Sequence, residues 1–255
     1  MKYAFITPGG TVPEVLEQAQ AAEAAGWDGF FYWDGIDIGG GLIHDPWVLL
    51  AAVAMRTTRI RLSAIITPLS RRRPWKVARE ATTLDHVSSG RFTLSVGLGV
   101  REDGAFAKVG EATELRTMAE RLDESLDIIT GLWSGKPTTH SGKHFHIAEP
   151  MRFMPRPVQR PRIPIWVVGV WPRPKSMARA YRYDGVLIQG DPDPRAVRRQ
   201  VGRRKYDICV FGQANAGDPR PRELAGQGAT WWLEEMWSEP KHERRMTRIR
   251  EGPPI

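Results

Sequence analysis

Short apolar runs alternate with longer amphipathic stretches along the whole chain. Residues 2–7 form a compact apolar run, and the strong helix formers of VLEQAQAAEAA follow it. Thr11 stands where an N-cap belongs, Pro13 suits the first helical turn, Glu14 favours the positive end of the dipole, and Gly26 ends the segment. A second apolar run at 27–33, WDGFFYW, reads as a buried strand that stops at Asp34. Beyond the glycine-rich loop GIDIGGGLIHDP, Asp45 and Pro46 open a helix through PWVLLAAVAMR. Residues 60–66 and 92–96 are the next two strands. A basic loop, a helix beginning at Pro74 and the turn Ser88-Ser89-Gly90 join them.

From 115 to 133, apolar Leu115, Met118, Ala119, Leu122, Leu126, Ile129 and Leu132 recur at helical spacing. Residues 134–163 interrupt the rhythm with a hairpin-like THSGKHFHI and the extended proline segment PRPVQRPRIP. Strands then resume at 165–168, 185–188, 207–211 and 229–233, with helices near 174–182, 193–204, 221–225 and 239–250. Short connections between alternating strands and helices require parallel strands with crossover helices. Eight such repeats in 255 residues predict an α/β protein of the (β/α)8 TIM-barrel type. One domain spans 1–255, and 134–163 is an insertion between the fourth helix and the fifth strand. An open doubly wound sheet is the alternative, but it favours G-x-G-x-x-G after the first strand, and TPGGT lacks that spacing.

The formal charge of +8 narrows the function classes. Its basic residues are dispersed, with RRR at 71–73 and ERRMTRIR at 243–250, and no zinc-finger or RNP-type motif accompanies them. An anionic cofactor explains the charge better than nucleic acid, and most of the helix charges read as solvated faces. No run of 18 apolar residues exists to span a membrane, and the N-terminus lacks a signal-peptide pattern, so a cytoplasmic protein is expected. The single cysteine, Cys209, cannot form an internal disulfide and sits in a strand as an inert core thiol. His140, His144 and His146 raise the question of a metal, but no carboxylate sits at ligand spacing and none is expected. G-x-S-x-G, P-loop and C-x-x-C motifs are absent.

Chemistry in such a barrel sits where the strands end. Asp34, closing the aromatic run FFYWD, reads either as a hydrogen-bond or proton-transfer group or as a loop cap beside Gly35. Thr67 can offer its hydroxyl to a ligand or cap the turn before Pro68. Arg71, Arg72 and Arg73 read as the rim of an anionic site or as a solvated loop. Glycines at 97, 99 and 169 let backbone N–H groups approach a phosphate. Trp33 and Trp171 are placed to flank a planar ring.

These pieces resemble the bacterial-luciferase-like family of flavin-dependent oxidoreductases and monooxygenases. The resemblance is carried by EAAGWDGFFYWD, by HDPWVLLAAVAMRTTRIRLSAIITPLSRRRPWKVAREATTLDHVSSGRFTLSVGLG, by LDESLDIITGLWSG and by RPVQRPRIPIWVVG, in that order. It implies FMN or the deazaflavin coenzyme F420, a small organic substrate, and a homodimer formed through the PWVLLAAVAM helix. A cis non-proline peptide at Ala64–Ile65 is implied beside the ring, with Thr67 touching the cofactor. Leu98, Gly99, Gly169 and Val170 match positions whose backbone holds the phosphate. Asp34 matches the acid of the family's Asp-His pair, whose histidine is Gly35 here. His44, from the glycine loop, is the substitute candidate for the catalytic role.

Overall fold

Nine parallel strands curl into a nearly closed barrel in the computed structural model, which describes residues 1–39 and 41–254. The first half comprises β1 (Lys2–Thr7), α1 (Val12–Ala24), β2 (Gly29–Tyr32), α2 (Pro46–Arg56), β3 (Arg61–Ala64), β4 (Thr67–Pro68), α3 (Pro74–Val87), β5 (Leu94–Gly97) and α4 (Leu115–Trp133). A hairpin, β6 (Thr138–Ser141) and β7 (His146–Met151), follows. The second half comprises β8 (Ile165–Val170), α5 (Pro174–Ala180), β9 (Gly185–Gln189), α6 (Pro194–Val201), β10 (Asp207–Gly212), α7 (Pro219–Gly226), β11 (Trp231–Glu235) and α8 (His242–Arg250). The sheet runs β3-β2-β1-β11-β10-β9-β8-β5-β4. A parallel bridge between Leu62 and Phe92 draws its two edges together.

Local signals account for the helix starts. At α1, Thr11 Oγ1 accepts the Glu14 N–H and the Glu14 carboxylate accepts the Thr11 N–H, a reciprocal cap. Asp45 caps α2 by accepting from the N–H groups of Trp47 and Val48, both at 2.9 Å.

The third strand departs from its expected course. Residues 60–66 read as one continuous strand, whereas the chain changes partner in the middle. β3 pairs with β2, as Tyr32 opposite Ala64 shows, while β4 pairs with β5 through Thr67 and Val96. The cis non-proline peptide falls at this junction, between Ile65 and Ile66, one residue later than Ala64–Ile65. The last strand is also displaced: it runs over Trp231–Glu235, not 229–233.

Side-chain alternation divides the core into two layers. Ala4, Ile6, Phe31, Ile65, Trp166, Leu187, Cys209, Trp231 and Leu233 fill the barrel interior. Phe31, Trp166 and Trp231 form a plug there, with ring centroids 5.2–6.1 Å apart. Burying a ring of this kind contributes about 2–3 kcal/mol. The opposite strand faces pack against the helices, as with Phe5, Phe30 and Tyr32.

The hairpin is fastened outside the barrel. Glu124 on α4 accepts from the backbone N–H groups of Lys143, His144 and Phe145. Asp85 on α3 accepts from those of Val158 and Gln159 and holds the proline segment. Among the described residues, no helix is long and apolar enough to cross a membrane.

Candidate functional site

A cavity of about 540 Å³ opens at the C-terminal ends of the strands, above the aromatic plug. Ile65 and Ile66, at the junction of β3 and β4, form one apolar surface of it. Trp33, Ile188 and Phe211 supply others, and the polar lining includes Asp34, Gln189, Arg220 and Glu235.

Strand register decides which of two adjacent carboxylates belongs to this cavity. On β11, Trp231 and Leu233 face the barrel interior, so Glu235 faces the mouth and Glu234 faces outward. Glu234 is buried against Arg248 at 3.1 Å and accepts from Trp232 Nε1 at 2.7 Å. Glu235 is half-buried, lines the cavity, and accepts from Trp237 Nε1 at 2.9 Å. The sequence signal for it was its place at a strand end. Misplacing that strand by two residues hid the difference between the two glutamates.

Asp34 lines the cavity but is tied from behind. Its side chain is fully buried; Arg71 donates to it at 3.1 Å, and Arg72 donates to both of its oxygens at 2.9 and 2.8 Å. Burial pushes the Asp34 carboxyl up, opposed by Arg72 and then by Arg71. Arg71, only 3% exposed, also pairs with Asp103 at 2.5 Å. Asp103 in turn accepts from the N–H groups of Ile36, Asp37 and Ala105. Burial would raise the Asp103 carboxyl, but Arg71 and these three amides hold it at about 2. Two of the three arginines expected on an anionic rim are therefore engaged inside the protein. Their partners lie 32 and 37 or 38 residues away in sequence.

Gly35 is explained by its neighbour. A Cβ at position 35 would lie 2.6 Å from Trp33 Cζ3 and 2.9 Å from Ile38 Cγ2, so no larger side chain fits while Trp33 keeps its place. Trp33 is braced edge-to-face by Trp237, with centroids 6.4 Å apart. His44 stands outside the cavity lining. Its Nε2 lies 3.1 Å from the Gly10 carbonyl oxygen, and its backbone N–H donates to the Tyr32 hydroxyl at 3.1 Å.

The other expected residues divide. Asp34, Ile65 and Gly99 meet at the cavity, where Gly99 adopts φ +95 with Pro68 and Phe106 packed close against it. Ala64 and Thr67 are fully buried beneath, and Thr67 Oγ1 has no partner among the described residues. Leu98 packs against the outer core, and its carbonyl accepts from Ser70 Oγ. Gly169 faces α5, where a Cβ would meet Met177 Sδ at 2.6 Å. The Val170 N–H donates to Ser176 Oγ at 3.1 Å and the Trp171 N–H to the Gln189 carbonyl at 2.9 Å. Ile188, Phe211, Arg220 and Trp237 line the cavity without having been singled out for it, and Ile66 and Gln189 line it from strand ends. Among the described residues, no group of three or more His, Cys, Asp or Glu is arranged to hold a metal. His140 and His144 instead face Glu124 and Glu120.

Comparison with known proteins adds a lineage to this geometry. Residues 4–205 match the family of luciferase-like monooxygenases. The chain is 31% identical over 189 residues to 4-hydroxyprotoasukamycin monooxygenase of Streptomyces nodosus subsp. asukaensis, covering 74% of this chain and 50% of that protein. It is 28% identical over 237 residues to an F420-dependent glucose-6-phosphate dehydrogenase of Nakamurella multipartita, covering 86% and 68%. The chain spans about half the length of the first curated relatives it matches. Its fold superposes with a TM-score of 0.80, at 17% identity, on an F420-dependent secondary alcohol dehydrogenase solved with an F420-acetone adduct, covering 99% and 98% of the two chains.

Proposed function

The chain belongs to the luciferase-like monooxygenase family, and from that premise we propose that it is an oxidoreductase taking coenzyme F420 or FMN and a small organic substrate in the cavity at the barrel mouth. The observation that carries this reading is the apolar surface of Ile65 and Ile66 at the point where β3 gives way to β4. Ile65, Ile66, Gly99, Ile188 and Phe211 fit a planar, largely apolar ring and would hold it. F420 is the first choice, because the F420-dependent relative aligns over 86% of this chain. When bound, the cofactor supplies hydride transfer or, in the flavin case, oxygen chemistry.

The chain's own residues position the reactants and exclude water. Trp33, Phe211 and Trp237 favour an apolar substrate body. Glu235 is the cavity carboxylate best placed to hold or accept a proton, since Asp34 is engaged by two guanidinium groups. Arg220 lines the rim, with its guanidinium 5.9 Å over the Trp232 ring, and would meet the anionic part of the ligand. The Val170 and Trp171 amides already have internal partners, so they would need to be released to serve a phosphate. Homodimer formation through α2 is supported by Val48 and Met55, 74% and 73% exposed on that helix. Light scattering on a sizing column tests it, and a monomer mass at working concentration rejects it.

Titration of the purified protein with F420 and with FMN tests the central reading. Saturable binding of either, followed by turnover with an organic substrate, is the expected result. Failure to bind both, oxidised and reduced, would sink it. A second reading, a barrel that binds the cofactor without turning it over, is favoured by the indole that fills the space of a side chain at 35. Binding without oxidation of the reduced cofactor across a substrate panel would select it.

A further inference from the structure

Arg71 and Arg72, which hold Asp34 from behind, also line a second and smaller crevice of about 90 Å³. It lies between the loop after β4, the first turns of α4 and the tip of the β6–β7 hairpin. Arg73, Arg121 and His144 complete its basic lining, with Glu111 opposite. We propose that this crevice is a binding site for a single tetrahedral oxyanion, a phosphate or sulfate group.

Size is the first argument. The crevice has room for a small polar solute and is far smaller than the 540 Å³ cavity at the barrel mouth. The donors are the second. Arg71 and Arg72 spend Nη groups on Asp34 and Asp103, but their Nε atoms are buried and without a partner among the described residues. Each Nε–H is a donor awaiting an acceptor. Burial makes an unmade bond costly, most of all for Arg71. The third is the opening of α3. Arg73, which lines the crevice, is the N-cap of this 14-residue helix and makes no side-chain hydrogen bond there, so the helix begins beside the crevice without a side-chain cap.

Most charges of the lining are already paired. Glu111 is paired within it with Arg121 at 2.7 Å, and His144 with Glu120 at 3.0 Å. Asp34 and Asp103 face Arg71 and Arg72, which leaves Arg73 as the one of the four lining arginines without an ion-pair partner among the described residues. Arg72 also links the crevice to the cavity. An anion drawn to it competes with Asp34, whose carboxylate lines the larger cavity. The site stands apart from the cofactor reading, because the anion can be measured with no cofactor present.

Isothermal titration of the full chain with sodium phosphate and with sodium sulfate, at ionic strength fixed with chloride, tests the site. Saturable 1:1 binding is expected, with Arg73→Gln weakening it about tenfold, the loss of one charge-assisted contact. Arg182→Gln, the same charge change at an exposed pair with Asp127, should leave it unchanged. No saturable heat, or equal weakening by both variants, would overturn the proposal. Two sources can supply the group, and a second arm separates them. If phosphate competes with FMN, and Arg73→Gln weakens FMN but not riboflavin, the occupant is the cofactor's phosphate. If phosphate binds equally with or without FMN, the occupant is a free oxyanion.

Discussion

The two sides of the barrel mouth handle charge in opposite ways. Behind β2, β3 and β4, Asp34, Arg71, Arg72 and Asp103 form a chain of ion pairs sunk into the protein. Beyond β9, β10 and β11, Gln189, Arg220 and Glu235 keep polar atoms turned toward the cavity. One side uses charge to fix loops, and the other leaves it available to a ligand. A charged residue near a strand end is thus no indication of its role until its counter-ions are known.

Substitutions on the two sides should therefore separate stability from turnover. The largest effect is expected from Arg71→Ala, which strips Asp34 and Asp103 of a shared counter-charge and costs about 3–5 kcal/mol of stability. Denaturant unfolding measures it; a midpoint equal to the wild type would mean the pairs contribute nothing. Next comes Glu235→Gln on the opposite side. Turnover should fall about 100-fold if the carboxylate handles a proton, with stability changing by no more than about 0.5 kcal/mol. Loss of stability with turnover intact would move Glu235 to the structural side.

A smaller effect concerns acid. The Asp103 carboxyl sits at about 2 in the folded chain and near 3.9 when unfolded. A depressed folded value means that its stabilisation is present above about pH 4 and disappears as pH falls toward 2, with about 1 kcal/mol lost by pH 3. Unfolding free energies at pH 5 and pH 3 should show that loss in the wild type and a flatter response in Asp103→Asn. Equal slopes would count against it. The smallest effect is assigned to His44→Gln. If the ring only anchors its loop to Gly10, turnover stays within about twofold and stability falls by about 1 kcal/mol or less. A hundredfold drop in kcat would return His44 to the chemistry.

Much of this was legible along the chain, for physical reasons that differ from place to place. The barrel order followed from apolar runs and local caps such as Thr11 with Glu14 and Asp45 with Pro46, because those interactions span only a few residues. Asp34 and Gly99 followed from the rule that strand ends meet at one mouth, and Ile65 from the family resemblance. Residue type gave no signal for the exchange of β2 for β5 at Ile65–Ile66, because two isoleucines look alike whichever neighbour they serve, and the resemblance placed the cis peptide there one residue early. Gly169 matched a phosphate position by its residue type, yet its missing side chain makes room for Met177. The arginines at 71 and 72 were readable as basic, but their partners depend on loops brought together only by the closed barrel.

Trp33 and Gly35 compete for one volume, so they behave as a single heritable unit. A chain of this lineage can carry the indole or a side chain at 35, and the order of change matters. Histidine arriving first meets the ring at 2.6 Å from its own Cβ, whereas trimming Trp33 first removes the nearer clash and leaves Ile38 Cγ2 at 2.9 Å to give way. The contact acts as a ratchet on the site's history: one path between the two arrangements meets a smaller barrier than the other.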